Sequence, residues 1–255
     1  MTTDVAETPR IVKLADGLYV RQAVDNIAWI DMGEHAIVID ALEQPSLEGE
    51  VFDAMERTIG DKPVRHVLNT HTHYDHVALN AAFKGRFGAE IVNQETCRIP
   101  PDGRWFEGAR RVWMFPTPGC HTPEDCCVWC PQDGALFVGD IFGWGLIPLA
   151  RSLDRQTARL LEDTYARLIA LKPATVVPGH GPVCSAAELA RWVEYLRWLI
   201  AEVGRACSLG KGDRAILDLV APPDDMLGWW RFVQWKHADS VQKVLSSARK
   251  GLLPA

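Results

Sequence analysis

Nowhere does this chain run through the roughly 18 consecutive apolar residues that a membrane-spanning helix requires. Residues 1–8 carry Asp4 and Glu7 where an export signal has a basic stretch followed by an apolar one, so a soluble protein of the cytoplasm is expected. Positive charge is in deficit: 27 Lys and Arg against 33 Asp and Glu leave a net −6, which removes any bulk attraction to nucleic acid or anionic lipid. There are no internal repeats, low-complexity tracts or evident linkers. Seven cysteines, an odd number with Cys126 and Cys127 adjacent, make a poor disulfide framework and fit a reducing compartment. What is present is apolar mass: 47% hydrophobic residues over 255 positions exclude a disordered chain and suffice for a large core.

The first forty positions predict short strands at residues 11–14, 18–23, 27–31 and 36–40, punctuated by Asp16-Gly17 and Met32-Gly33-Glu34, in an antiparallel meander. Leu47, Val51, Met55 and Ile59 mark a helix, closed by Gly60 with Pro63 just beyond. Strands are then expected at 64–68, 89–92, 112–115, 126–130, 135–138 and 174–177, and helices at 75–83, 156–171 and 186–207. Strands with interspersed helices imply a layered α/β sandwich. Half of the ten tryptophans (Trp192, Trp198, Trp229, Trp230 and Trp235) fall towards the C-terminus, where Pro222-Pro223 separates the long helix from a last one over 227–249. Trp192, Leu196, Leu199 and Val203 form a helical stripe of the kind that faces a core.

The chemistry concentrates after the strand at 64–68, which runs into Asn69-Thr70-His71-Thr72-His73-Tyr74-Asp75-His76. No core needs three imidazoles and a carboxylate in six residues. Side chains two apart on an extended segment point to the same side, so His71 and His73 can converge on one ion, while Asp75 and His76, at the turn into a helix, can face a second. Two further strands end in the same manner, one in Gly139-Asp140 and one in Pro178-Gly179-His180-Gly181. Between them lies the turn-rich Thr117-Pro118-Gly119-Cys120-His121-Thr122-Pro123. Ligand types thus recur at carboxyl ends of strands, where open α/β sheets place their sites.

These four motifs, in this order and spacing, resemble the metallo-β-lactamase superfamily, and the flanking strands extend the resemblance over most of residues 10–200. The resemblance implies a four-layer αββα sandwich over residues 1–210, with residues 211–255 as a helical extension packed on it. It further implies a binuclear site in which His71, His73 and His121 hold the first metal, Asp75, His76 and His180 the second, and Asp140 bridges both. Two Zn²⁺ per chain suit such donors, and Fe or Mn are accommodated by similar sets. The implied reaction is attack of a metal-bridging hydroxide, oriented by Asp75, on a small ester-like bond. Thioesters of the hydroxyacylglutathione-hydrolase type are favoured over lactones, lactams and phosphodiesters.

Three departures from the family pattern stand out. Val77-Ala78-Leu79-Asn80 replaces the glycine pair of many members, Cys120 lengthens the loop before His121 by one residue, and Asp140 stands where the best-known zinc β-lactamases have cysteine. The alternative activity is that of a non-haem iron oxidoreductase on the same scaffold, of the persulfide-dioxygenase or diiron kind. A site surviving as a relic in a binding protein is disfavoured by seven potential ligands occurring together, and a nuclease by the acidic balance. Arg104 and Arg110, with Trp105 between them, are candidate grips on an anionic or amphipathic small molecule, against the plainer reading of a solvated loop. Cys126-Cys127-Val128-Trp129-Cys130 reads as a buried strand in preference to a zinc knot with Cys120, and His35, His66 and His237 read as structural. Nothing in the sequence sets an oligomeric state.

Overall fold

In the computed structural model, which describes residues 8–148 and 153–253, alternation along the strands sets the layers. The expectation that residues 1–8 carry no export signal falls outside the described residues, Thr8 apart. No helix among the described residues is long and apolar enough to cross a membrane. The chain divides into two compact units, the first comprising Met1–Pro118, Glu124–Asp140 and Pro173–Cys184, the second Gly119–Pro123, Ile141–Lys172 and Ser185–Ala255.

The first unit holds two sheets. One runs in chain order through β1 (Arg10–Ala15), β2 (Leu18–Gln22), β3 (Ile27–Asp31), β4 (Ala36–Ile39), β5 (Val64–Leu68) and β6 (Glu90–Val92). The first four strands pair antiparallel, as the turn signals predict. β4, β5 and β6 are parallel, and their crossovers contain α1 (Glu48–Ile59) and α2 (Asn80–Phe87). The other sheet has the order β11-β10-β9-β8-β7, from β7 (Arg104–Glu107), β8 (Arg111–Pro116), β9 (Cys126–Cys130), β10 (Ala135–Gly139) and β11 (Thr175–Pro178), with β10 and β11 parallel.

Leu18, Val20, Ile30, Ile37 and Leu68 from the first sheet meet Val112, Met114, Val128, Phe137 and Val177 from the second in one core. Their neighbours one residue away, Trp29, Val38 and Val67, pack with Val51, Phe52 and Met55 of α1 and Phe83 of α2 in another. The central strands are apolar on both faces because both are covered, which is why they read as continuous hydrophobic runs. All of Cys126–Cys130 is buried, as expected, and burial pushes the Cys126 thiol up to about 12.

In the second unit, α4 (Ala186–Ser208) packs on α3 (Arg155–Ala170) and α6 (His237–Arg249), and α5 (Asp213–Leu219) packs on α6. Capping boxes start the two longest helices: Asp154 with Thr157 at α3, and Ser185 with Glu188 at α4. Trp192, Leu196, Leu199 and Val203 are all fully buried, and Trp192 stacks on Tyr165 at 4.3 Å between ring centroids.

Two expected helices differ. The helix expected over 75–83 is a 3-10 turn, Tyr74–His76, followed by α2, because the amides of Ala78 and Leu79 donate to the carbonyls of Leu42 and Ala41. The helix expected over 227–249 is interrupted at Arg231, whose φ of 54° is left-handed, and passes through a π-helical turn, Phe232–Lys236, before α6. β7 and α5 were not expected. β7 carries charge at both ends of four residues, which masks its alternation.

Phe137 is 2% exposed between the sheets. Phe137→Ala should therefore lower stability by about 3–5 kcal/mol, read as a reduced urea midpoint; an unchanged midpoint would contradict the intersheet core.

Candidate metal centre

The loop after β5 is stitched down by polar side chains that the sequence reading passed over. Buried Asn69 donates through Nδ2 to the His76 carbonyl at 2.9 Å and accepts from Asn80 and Asn93 Nδ2 at 2.9 and 3.0 Å. Thr70 donates its backbone N–H to Asp40 Oδ1 at 2.8 Å, and its hydroxyl lies 3.2 Å from His71 Nδ1. So held, the His71 ring centroid stands 4.6 Å from that of His73 and 4.1 Å from that of His76.

The other ligand types arrive from neighbouring strand ends. Gly139, at φ 51°, turns β10 so that Asp140 follows, and a Cβ there would lie 2.5 Å from Thr70 Oγ1. The turn after β11 is gripped by Asn26, whose Nδ2 lies 2.8 Å from the carbonyls of both Pro178 and Gly181. His180 Nδ1 donates to the Val24 carbonyl at 2.9 Å. That bond assigns the ring proton to Nδ1 and turns Nε2 towards the carboxylates, 3.2 Å from Asp75 Oδ2 and 3.4 Å from Asp140 Oδ1. His76 is oriented similarly, with Nδ1 3.0 Å from Asp40 Oδ2 and Nε2 3.3 Å from Asp140 Oδ1.

Asp40 is the functional residue the sequence reading missed. It has a left-handed φ of 57°, is buried, and is the carboxylate partner that orients a candidate ligand histidine. The signal is in the sequence: β4, like β10, is followed directly by an aspartate.

The charges are interdependent. Burial alone would lower the His76 imidazole, but Asp40 and Asp140 outweigh it and hold it well above the usual histidine value. Burial likewise opposes the His180 imidazolium, yet the Asp140 charge and hydrogen bonds to Asp140 and Asp75 raise it to about 10. Burial would raise Asp140, but His76 and His180 hold it well below the usual carboxylate range.

This donor set fits a metal. Asp75, His76, Asp140 and His180 each offer one atom, all within 4.8 Å of one another. Their contacts of 3.2–3.4 Å match the edge of a tetrahedron built on bonds of about 2.0–2.1 Å. With both Nδ1 atoms committed elsewhere, each Nε2 shares with the carboxylates either a proton or a cation. Gly179 leaves the needed room, since a Cβ there would meet Asp140 Oδ1 at 2.2 Å and His76 Cε1 at 2.7 Å.

His121 belongs to the second unit, where its Nδ1 lies 2.5 Å from the Pro148 carbonyl, which directs its lone pair to Nε2. Arg110 sits in the β7–β8 turn at the strand ends opposite those that deliver Asp140 and His180. There its Nη1 lies 2.8 Å from both Asp133 carboxylate oxygens and its Nη2 donates to the Asp16 carbonyl, which fastens two turns together. Arg104 is engaged by Glu90 at 3.0 and 3.3 Å and lies over Phe106. Trp105, 41% exposed, is stacked on Trp113 and covered by the Arg111 guanidinium.

A family model described as Metallo-beta-lactamase superfamily matches residues 23–113 and 101–180. A hydroxyacylglutathione hydrolase from Rhizobium meliloti (strain 1021) is 35% identical over 149 residues, covering 54% of this chain and 54% of that protein. Another from Methylococcus capsulatus is 35% identical over 164 residues, covering 55% of this chain and 63% of its own length. The chain therefore spans between half and two thirds of these relatives. Among solved structures, a metallo-beta-lactamase from Pontibacter korlensis aligns with a TM-score of 0.60 at 20% identity over 74% of this chain and 99% of its own. A flavo di-iron protein from Thermotoga maritima aligns at 0.57 and 16% identity over 78% of this chain and 62% of its own. At such identities the likeness is one of fold, and the expected α/β sandwich of this type is the fold found.

Because the His180 imidazolium persists to about pH 10 in the metal-free chain, zinc must displace its proton. Zinc affinity should therefore rise with pH throughout the range below about 10, where His180 of the folded chain still carries its proton, with proton release visible by calorimetry in buffers of different ionisation enthalpy. Binding without proton release would contradict the coupled cluster.

Proposed function

Since the chain belongs to the metallo-β-lactamase superfamily, we propose that it is a metal-dependent hydrolase of small ester-like bonds, with thioesters of the hydroxyacylglutathione type as its preferred class. The observation that carries this is the convergence of Asp75, His76, Asp140 and His180 from three separate strand ends, each histidine oriented through its other ring nitrogen. A structural ion pair needs no such set. The thioester preference rests on the names of the curated relatives.

In this proposal His76, His180 and Asp75 would hold one ion and His71, His73 and His121 another, with Asp140 available to both. Zinc is the metal that nitrogen and oxygen donors of this kind favour. Bound metal supplies a Lewis acid for the substrate oxygen and makes hydroxide available near neutral pH. The chain's own residues do the rest. Asp40 and the Val24 carbonyl keep the protons of His76 and His180 on Nδ1, so neither ring turns away from the site. Asp75, part-exposed and 3.2 Å from His180 Nε2, presents a carboxylate oxygen that can orient an attacking water. Its carboxyl would be raised by burial, but the His180 hydrogen bond and the His76 charge prevail and keep it ionised at neutral pH, able to accept a hydrogen bond.

The test is a substrate panel on zinc-reconstituted protein, with metal content measured on unsupplemented protein. Thioester turnover is expected, lost on chelation and reduced about 10–100-fold in Asp40→Asn, which keeps shape but weakens the His76 partner. No turnover of any ester, thioester, lactam or phosphodiester would overturn the hydrolase. One iron per chain with oxygen uptake on a persulfide would establish the oxidoreductase in its place.

A further inference from the structure

The loop that leaves Asp140 is anchored far more heavily than a connection requires. Residues 143–146 form a tight turn in which Leu146 N–H donates to the Gly143 carbonyl, with φ of 55° at Trp144 and 92° at Gly145. Gly145 is required twice over, because a Cβ there would also lie 2.3 Å from the Phe232 ring. Backbone groups along this loop are taken by side chains of the second unit. The Tyr165 hydroxyl donates to the Ile141 carbonyl at 2.7 Å, Lys236 Nζ to Gly143 at 2.8 Å and Trp192 Nε1 to Leu146 at 3.2 Å. Ser240 Oγ donates to the Gly145 carbonyl and accepts from the Ile147 N–H, both at 3.0 Å. Lys243 Nζ donates to the Ile147 carbonyl at 2.8 Å while also pairing with Asp239 at 3.0 Å. The next carbonyl, that of Pro148, is the acceptor for His121 Nδ1.

The buried Lys236 and the buried Ser240, spent on main-chain groups of one loop, are costly to place unless that loop must be held. Its last described residue sets the tautomer and ring direction of a histidine. We propose that Ser240 and Lys243 of α6 are positioning residues for His121: by holding Gly145 and Ile147 they set the Pro148 carbonyl, and through it the nitrogen that His121 offers to a metal. The inference rests on the proposed role of His121 as a ligand of the first ion. It gives residues of α6 that never touch a metal a part in the direction of a candidate ligand within the same unit.

The experiment is a stepwise Zn²⁺ titration of the full metal-stripped chain against a competing chromogenic chelator, comparing wild type with Ser240→Ala, Lys243→Met, Lys243→Arg and His121→Ala. Ser240 is fully buried, whereas Lys243 is a quarter exposed and its replacement should leave the fold intact, as circular dichroism will report. Ser240→Ala and Lys243→Met should weaken one zinc step by about tenfold or more and leave the other unchanged, and Lys243→Arg, which keeps a donor, should restore it. Both steps unchanged, or both weakened alike, in folded Lys243→Met would overturn the proposal. If His121→Ala loses one step while Ser240→Ala and Lys243→Met lose none, the positioning role alone fails. If His121→Ala keeps both, the ligand assignment fails and this inference falls with it.

Discussion

Everything at this site depends on a single buried imidazole. His76 is wholly enclosed, with Asp40 on one ring nitrogen and Asp140 on the other, and none of the three could be buried alone at acceptable cost. Together they form a line of alternating charge whose far end reaches His180 and Asp75. Removing a member strands the others, which is why the surrounding polar residues are so fully committed: Thr70 to Asp40, Asn69 to the His76 carbonyl, Asn26 to the turn that carries His180.

That line also explains the use of the sandwich. β4, β5, β10 and β11 end at a common level, and each hands a polar residue to the same point: Asp40, the 69–76 loop, Asp140 and His180. The apolar core between the sheets holds the strand ends in register while the polar network above it chooses directions. Glycines at 139 and 179 are needed because Thr70, Asp140 and His76 approach too closely for a Cβ. Precision of this kind belongs to strand ends and short turns on a rigid support, and a set of donors able to hold a metal demands it.

The second unit contributes in a different manner. Where the first unit uses side chains to supply charge, the second uses them to capture main-chain carbonyls along 141–148, so that a segment with little regular structure acquires fixed geometry. The π-helical turn at Phe232–Lys236 is part of that device, bringing Lys236 and Ser240 onto the Gly143–Gly145 turn.

Much of this was written in the residues themselves. The hydrophobic alternation of β2 to β4, the apolar runs of β5, β9 and β10, and the capping box at Ser185 specify their elements locally, so composition and period were enough. His71, His73, Asp75, His76, Asp140 and His180 stand out in the sequence as candidate ligands because no core needs such residues crowded at strand ends. Other parts were not legible. A single acid after β4 looks like any surface acid until Thr70 and His76 fold against it. Arg110 looks like a free cation until Asp133 pairs with it, and the helix expected after His73 yields to carbonyls at Ala41 and Leu42. Local sequence determined which segments could form strands and which side chains could bind a metal. Tertiary structure alone decided which of the polar residues serve them, since partnership between groups remote in the chain is set by where the backbone brings them, not by what precedes or follows them.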